Sequence, residues 1–363
     1  MDKIFKRTLL GAAVSAVALS GASNAAIDLN GKAVQFYGQA AGNITLIDPK
    51  ASGSDNSVGA EIESRIGFRG VVEYEDFGPN IVWQIEGGNA NNGDKSGALG
   101  ARDTFLGLEF DGVGTFKYGR QLVAAYNYVD WPHSNPGLGN VFDWNNDLGV
   151  SFQDRADSVL RFDSASFGGF TLQATVSGMA NSTDQNVVSV AGAYAHEKFN
   201  LHAGYYTRGS YSTFAESDVP KFIDDGNGNV IINPDYKEGD VETKHYAHSY
   251  AIVGGSVYLG DLTLTAAYKA MQADKATGGD NKQNAISATA QYVLDGKWVF
   301  KGGYAMTSDS TDGTDDGDTA ITGRLGYLLP STYLYTDIRH YNMDGSSDAK
   351  DGTRLLLGME YYF

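Results

Sequence analysis

The chain ends in the stretch "TRLLLGMEYYF", residues 353–363, and the pattern of this stretch decides the fold. Side chains along a β-strand point alternately to its two faces. One face here is almost entirely apolar and carries Thr353, Leu355, Leu357, Met359, Tyr361 and Phe363. The other face is mixed and carries Arg354, Leu356, Gly358, Glu360 and Tyr362. The stretch therefore predicts a final β-strand with one apolar face.

Residues 1–25 have the three features of a secretory signal peptide. Lys3, Lys6 and Arg7 form a basic start. An apolar centre, "LLGAAVSAVALSG", follows, and small residues at 23–25 mark a cleavage site. The sequence therefore predicts an exported protein whose mature domain is residues 26–363.

The composition is strongly acidic and contains no cysteine. The formal net charge is −17. The predicted signal peptide carries three basic residues and Asp2, so its removal leaves about −19 (−17 − 2). An acidic chain is a poor partner for nucleic acid, and a chain without cysteine has no disulfide framework and no thiol chemistry.

The rest of the chain repeats the alternation of the final stretch. In "VGAEIESRIGFRGVVEYED", residues 58–76, Ile62, Ile66 and Phe68 share one face, whereas Glu63 and Arg65 share the other. About sixteen such segments follow one another, joined alternately by tight turns and long polar loops. Transmembrane up-and-down β-barrels have this asymmetry, and their strands need only about ten residues each. We predict an all-β, antiparallel transmembrane barrel of about sixteen strands, with a soluble β-sandwich as the less favoured alternative.

A barrel in lipid must close, because lipid offers no hydrogen-bond partner to an exposed sheet edge. The final strand is therefore predicted to pair with the first, "AVQFYGQAAGNITLI", residues 33–47. All seven prolines fall at predicted connections or their edges, as full pairing of every strand requires.

Several stretches resemble the general, trimeric, sixteen-stranded porins of Gram-negative outer membranes. These stretches are "VQFYGQA" (34–40), "SRIGFRGVVEYED" (64–76), "ARDTFLGLEFDGVGTFKYGRQ" (101–121), "DRADSVLRFDSASFGGFTLQA" (154–174) and the final strand. The resemblance implies an outer-membrane homotrimer in contact with lipid and lipopolysaccharide, without a cofactor, a metal or an enzymatic activity. It also implies that Tyr361 and Phe363 form the C-terminal signal that the barrel-assembly machinery engages.

In that family the third long loop folds into the barrel and faces a row of basic residues. By alignment of the quoted motifs, Arg65, Arg102 and Arg155 occupy the arginine positions, and Gln39 replaces a lysine. An arginine on the lipid face near mid-bilayer would cost on the order of 2–4 kcal/mol, so these side chains should face water. The alternative is that they only solvate a wide lumen.

The corresponding loop here is "LVAAYNYVDWPHSNPGLGNVFDWNNDLGV", residues 122–150, which is too long for an incidental connection. It carries Pro136-Gly137-Leu138-Gly139-Asn140 where the family has an acidic element. The candidate constriction residues are Asp130, Trp131, His133, Asn140, Asp143, Trp144 and Asp147. The three aspartates would supply the missing charge and a transverse field. The two tryptophans either stack on sugar rings or anchor the loop to the wall.

We predict a passive diffusion channel for small hydrophilic solutes and ions that mildly favours cations. Two alternatives stay open: an oligosaccharide-selective porin that uses Trp131 and Trp144, and a surface adhesin or receptor barrel without an open pore. No G-x-S-x-G, Walker or dinucleotide motif occurs, which agrees with a protein that is not an enzyme.

Overall fold

The computed structural model describes residues 26–50, 54–88, 98–143, 146–179, 183–215, 219–226, 229–236, 241–344 and 351–363. The predicted signal peptide lies outside the described residues. None of the helices in these ranges is long and apolar enough to cross a bilayer.

Strands make up most of the described chain. The first half contains β1 Ile27–Asn30, β2 Val34–Pro49, β3 Ser57–Ile62, β4 Arg65–Tyr74, β5 Phe77–Gly88, β6 Thr104–Phe110, β7 Gly114–Leu122, β8 Arg155–Ser164, β9 Phe170–Ser177, β10 Val187–Ala195 and β11 Phe199–Arg208. The second half contains β12 Tyr211–Ala215, β13 Phe222–Asp224, β14 Val230–Ile232, β15 Val241–His245, β16 His248–Leu259, β17 Leu262–Asp274, β18 Asp280–Leu294, β19 Trp298–Thr307, β20 Thr319–Leu329, β21 Thr332–Asn342 and β22 Gly352–Tyr362.

Helical turns are few. Two short helices, α1 Tyr126–Asp130 and α2 Gly139–Phe142, lie in the connection between β7 and β8. A 3-10 turn, Thr183–Gln185, lies between β9 and β10.

The main sheet is a closed antiparallel barrel of sixteen strands. It contains 18 assigned strands, β1 to β11 and β16 to β22. β3 and β4 both pair with β2, one after the other, and so form a single interrupted barrel strand. The short β1 pairs only with the start of β2 among the described strands. Without β1, and with β3 and β4 counted as one, the 18 strands give a sixteen-stranded barrel, which confirms the predicted fold.

The barrel closes between its first long strand and its last. β2 and β22 are antiparallel neighbours from the pair Gln39 and Tyr362 to the pair Pro49 and Gly352. Beyond β22, the Phe363 N–H donates to the Gly38 carbonyl (3.0 Å), and the Gly38 N–H donates to the Phe363 carbonyl (2.7 Å). The predicted pairing of the two ends is therefore confirmed.

Apolar side chains cover the outside of this wall. In β22, Leu357 is 67% exposed whereas its neighbour Leu356 is 5% exposed. Leu355, Met359 and Tyr361 point outward with Leu357, as the alternation predicts. Exposed apolar side chains on one face of every strand are what a lipid environment requires.

The two ends of the barrel differ in the length of their connections. One end has tight turns, such as 75–76, 260–261 and 330–331, and the other carries the long connections 89–103, 123–154 and 209–247. The described residues of the connection 123–154, which we call loop 3, lie inside the barrel as predicted. Its apolar residues pack against inward residues of the wall between β10 and β21.

Three wall glycines give loop 3 the space that it occupies. A Cβ atom on Gly204 would lie 2.8 Å from the Ala125 Cβ. A Cβ on Gly254 would lie 2.8 Å from the His133 Nε2, and one on Gly303 would lie 2.7 Å from a Leu138 methyl carbon. Real Cβ atoms do not approach other atoms so closely, so a Cβ at Gly204 would collide with Ala125, and a Cβ at Gly254 or Gly303 would force the side chain of His133 or Leu138 to move. We call Gly204, Gly254 and Gly303 the glycine track.

We expect Leu357→Arg to lower the free energy of unfolding by about 2–4 kcal/mol, because it places a charge on the lipid face in the middle of β22. Thr353→Arg is the matched control, since it lies on the same face of the same strand near the membrane surface and should cost at most about 1 kcal/mol. Urea unfolding in phospholipid vesicles measures both. Equal losses would contradict the assignment of this face to lipid.

Candidate pore constriction

The structure brings the three predicted arginines and Gln39 together on one wall. Gln39 in β2 is the cross-strand partner of Arg65, the first residue of β4. Arg65 and Arg102 flank Gly88, whose Cβ would lie 3.2 Å from the Arg65 Cγ and 2.8 Å from the Arg102 Cδ. Burial, and after it the charges of Arg65 and Arg155, lower the pKa of Arg102. Arg155 therefore lies near enough to interact with Arg102. We call Gln39, Arg65, Arg102 and Arg155 the basic wall.

Carboxylates of the same wall neutralise part of this charge. The Arg102 Nε lies 2.5 Å from Glu86 Oε1, and the Arg155 Nε lies 2.7 Å from Asp103 Oδ1. Arg65 differs, because its buried Nε has no hydrogen-bond partner among the described residues. Sequence reasoning missed Asp103, although it directly follows Arg102 in the sequence.

A second charged group, also missed by sequence reasoning, lies on the β20–β21 wall. Arg324 donates to both Asp337 oxygens (2.6 and 2.8 Å), and Arg339 donates to one of them (2.6 Å). Arg324 also donates to the Asn135 side-chain oxygen of loop 3 (3.3 Å). Strand alternation predicts that these side chains point inward, but it does not predict that they hold the loop.

The loop aspartates do not form the expected acidic row. Asp143 is 8% exposed and accepts a hydrogen bond from the Tyr126 hydroxyl (2.8 Å). Asp147 accepts one from the Gln283 amide on β18 (3.2 Å). Asp130 is half-buried and accepts one from the Ser134 hydroxyl within the loop (2.8 Å).

The aspartates do not form an acidic row because of the way in which loop 3 packs against the wall. Val141 and Phe142 are fully buried against the wall, and they carry the adjacent Asp143 to the wall side. Burial raises the pKa of Asp143 well above its ordinary value.

Trp131 is the one predicted tryptophan whose position the structure describes. Its side chain is 37% exposed, and the Lys301 Nζ lies 5.5 Å from the centroid of its ring. Trp144 lies outside the described residues. Asn140 is half-buried in α2.

His133 anchors loop 3 instead of lining the lumen. Its side chain is fully buried, and its Nε2 lies 2.8 Å from the Nε2 of His202 on β11. The Tyr128 ring stacks on His202 with a centroid distance of 4.7 Å, and the Ser287 hydroxyl donates to the His133 carbonyl (2.7 Å). Burial, followed by the charges of His202 and Lys301, lowers the pKa of His133 to about 2. The two imidazoles therefore meet as neutral rings, one donating and one accepting.

A closed barrel with an apolar outer face and a loop docked in a charged lumen defines a β-barrel channel of the outer membrane. The chain matches the model of the family described as Gram-negative porin over residues 12–346. It is 34% identical over 325 residues to a chitoporin of Vibrio furnissii, with 84% of each chain covered. The chain belongs to the Gram-negative porin family. The predicted family and outer-membrane location are thereby confirmed, and the family consists of channels and not of enzymes.

Solved structures share the fold at low sequence identity. An anion-selective porin from Comamonas acidovorans has a TM-score of 0.66 at 19% identity, with 91% of this chain and 99% of that chain covered. OmpT of Vibrio cholerae in its trimer form has a TM-score of 0.64 at 15% identity, with the same coverages of 91% and 99%. At these identities the likeness supports the barrel architecture alone.

The neutral contact of His133 predicts that docking of loop 3 depends on pH. An undocked His133 takes up a proton below its ordinary pKa of about 6.5, whereas the docked ring cannot. The His133 contribution to docking is therefore complete above about pH 6.5 and weakens below it, by up to about 1.4 kcal/mol per pH unit, whereas Asp143, whose pKa is raised in the docked loop, contributes with the opposite sign. Hydrogen exchange of loop 3 amides, corrected for intrinsic rates, should therefore lose more protection between pH 8 and pH 5 in the native protein than in His133→Gln.

His133→Gln should remove the His133 contribution, and His196→Gln in an exposed turn should keep the pH dependence of the native protein. The same pH slope in the native protein and in His133→Gln would contradict the role of this ring.

Proposed function

We propose that this protein is a passive diffusion channel for small hydrophilic solutes and ions, and that oligosaccharides, chitin fragments among them, are preferred solutes. The observation that carries the proposal is the docking of loop 3 inside the barrel. The loop packs against the wall between β10 and β21. The basic wall lies on the other side, on β2, β4 and β8 and in the connection before β6.

The chemistry of the lumen supports a path for polyols. Ion pairs such as Arg102 with Glu86 and Arg155 with Asp103 present fixed donors and acceptors at short range. Groups of both kinds replace the water that a sugar hydroxyl loses on entering a narrow pore. The relative named chitoporin, with its similarity over most of both chains, supports sugars as the solute class.

Trp131 supports the same solute class. Its indole is partly exposed, and an indole face stacks on the apolar face of a sugar ring. The nearby Lys301 ammonium adds a hydrogen-bond donor beside the ring. We therefore assign Trp131 the role of a sugar contact in the constriction.

Ion preference in this proposal follows from two opposed contributions. The chain as a whole carries −17 charges, which favours cations in the lumen and its mouths. Arg65 opposes this within the constriction, because no carboxylate among the described residues pairs with it as Glu86 does with Arg102 and Asp103 does with Arg155. We propose a mild net preference for cations.

The proposal includes the partners that the resemblance implies. Apolar outer residues of β5, such as Ile81, Trp83 and Ile85, provide a surface for lipid or for a neighbouring copy, and we propose a homotrimer. Tyr361 and Phe363, next to the pairing of β2 with β22, are proposed as the signal that the barrel-assembly machinery binds. Lipopolysaccharide is proposed as the lipid that contacts the barrel near its long-loop end.

Planar-bilayer recording of the purified protein should show discrete conductance steps, and chitin oligosaccharides should block them transiently. Trp131→Ala should shorten the blocks about fivefold or more, because stacking on an aromatic ring contributes roughly 1 kcal/mol. Tyr211→Ala, in the outer hairpin of β12 and β15, is the aromatic control and should leave the block times unchanged. A folded protein without conductance steps would refute the channel in favour of a filled adhesin barrel.

Arg65→Gln should shift the zero-current potential in a salt gradient towards cations. The expected change in the permeability ratio is about two- to fivefold, since a unit charge at ~4 Å contributes about 1 kcal/mol in water and salt screens part of it. Lys198→Gln removes the same formal charge from an exposed turn and should have a smaller effect. An equal shift in the two variants would remove Arg65 from the constriction.

A further inference from the structure

A row of polar side chains crosses five neighbouring strands on the inner face of the barrel. Cross-strand pairing sets its members side by side from β17 to β21: Thr263, Gln291, Lys301, Arg324 and Asp337. Phe300, next to Lys301 in the sequence, is 45% exposed on the lipid face, whereas Lys301 is 9% exposed on the inner face. Lys301 is the fourth residue of β19, after the tight turn 295–297, so the row lies towards the short-turn end of the barrel.

The charges around this row are not balanced. Arg324 donates to both Asp337 oxygens (2.6 and 2.8 Å) and Arg339 donates to one of them (2.6 Å), so one carboxylate serves two guanidinium groups. Lys301 is the direct cross-strand partner of Arg324, and like charges directly opposite each other destabilise a sheet. The wall therefore carries excess positive charge beside Lys301, and a bound anion would offset it.

The Lys301 ammonium group has no carboxylate partner. Neither an ion pair nor a hydrogen bond joins its Nζ to another residue in the described part of the chain, and its neighbour is the Trp131 ring, 5.5 Å from Nζ to the ring centroid. The Nζ keeps accessible surface, whereas the Arg65 Nε is buried. A charge that is largely removed from water is costly while it stays unpaired. An anionic group in the lumen can reach this ammonium group and pair with it.

Gln291 supplies a second polar group at the same place. It is the cross-strand partner of Lys301 on the side opposite to Arg324, and it is half-buried. Its side-chain amide makes no hydrogen bond with another residue that the structure describes. An ammonium group offers three donors, and an amide offers both donors and an acceptor. Lys301 and Gln291 can therefore hold a carboxylate and a hydroxyl of one molecule.

Trp131 supplies an apolar surface next to these two groups. Its side chain is 37% exposed, and an indole face stacks on the apolar face of a sugar ring. A sugar ring that carries a carboxylate matches all three side chains. We propose that Trp131, Lys301 and Gln291 form a binding site for such an acidic sugar. This rests on the proposed function, because it places the site on the sugar path that Trp131 lines.

Calorimetric titration of the purified, folded barrel tests the site, with glucuronate as the ligand and glucose as its neutral match. A pH of 6 keeps the ammonium group protonated and the carboxylate ionised. Glucuronate should bind at least about tenfold tighter than glucose, because hydrogen bonds between two charged groups are the stronger kind. Equal affinities of the two sugars would overturn the proposal.

A charge-removing variant locates the binding. Lys301→Gln should weaken glucuronate binding about tenfold or more and should leave glucose binding within about twofold. Lys297→Gln is the matched control, since it removes the same formal charge from the exposed turn before the same strand and should bind as the native protein does. Unchanged glucuronate affinity in a folded Lys301→Gln would place the anion elsewhere and overturn the site.

Gln291→Leu decides if Lys301→Gln does not fold. It keeps the ammonium group and removes the amide, so glucuronate should bind about threefold weaker or more. Native affinity in a folded Gln291→Leu would then contradict the site.

Calorimetry does not depend on conductance. A barrel that prefers glucuronate but gives no conductance steps would refute the channel and leave this site. A conducting barrel that binds both sugars equally would keep the channel and remove the site.

Discussion

The rest of the structure depends on one constraint, the need of every backbone amide in the wall to find a partner without water. Lipid supplies none, so the sheet must return to its own first strand. The two hydrogen bonds between Gly38 and Phe363 complete this seam, and Gly38 is glycine because the Phe363 ring would lie 2.4 Å from a Cβ there. Everything that gives the protein a lumen follows from this closure.

Inside the barrel the balance between packing and charge decides what a solute meets. Loop 3 docks through buried apolar residues and the neutral contact of His133 with His202. The same packing turns Asp143 away from the basic wall. We therefore propose that the field of the constriction is set mainly within the basic wall itself, by Glu86 and Asp103 against three arginines, and not by an acidic loop facing them.

The sequence was sufficient to predict the strands, their closure and the inward side of Arg65, because strand alternation has a period of two and the bilayer enforces it over the whole wall. It was insufficient for loop 3. An irregular segment has no fixed period, so the directions of Asp143 and His133 depend on contacts with strands far away in the sequence. The ion pair of Asp103 with Arg155 joins residues 52 positions apart and has the same origin.

The glycine track couples the inner surface of the barrel to one particular loop. Gly204, Gly254 and Gly303 lie on three different strands, yet an added Cβ at each would collide with a residue of loop 3. Wall and loop are therefore complementary parts that must change together. A chimera of this wall with the loop of another porin keeps a wall shaped for the original loop. In the reverse chimera, a wall with alanine at these three positions would displace this loop towards the centre of the pore.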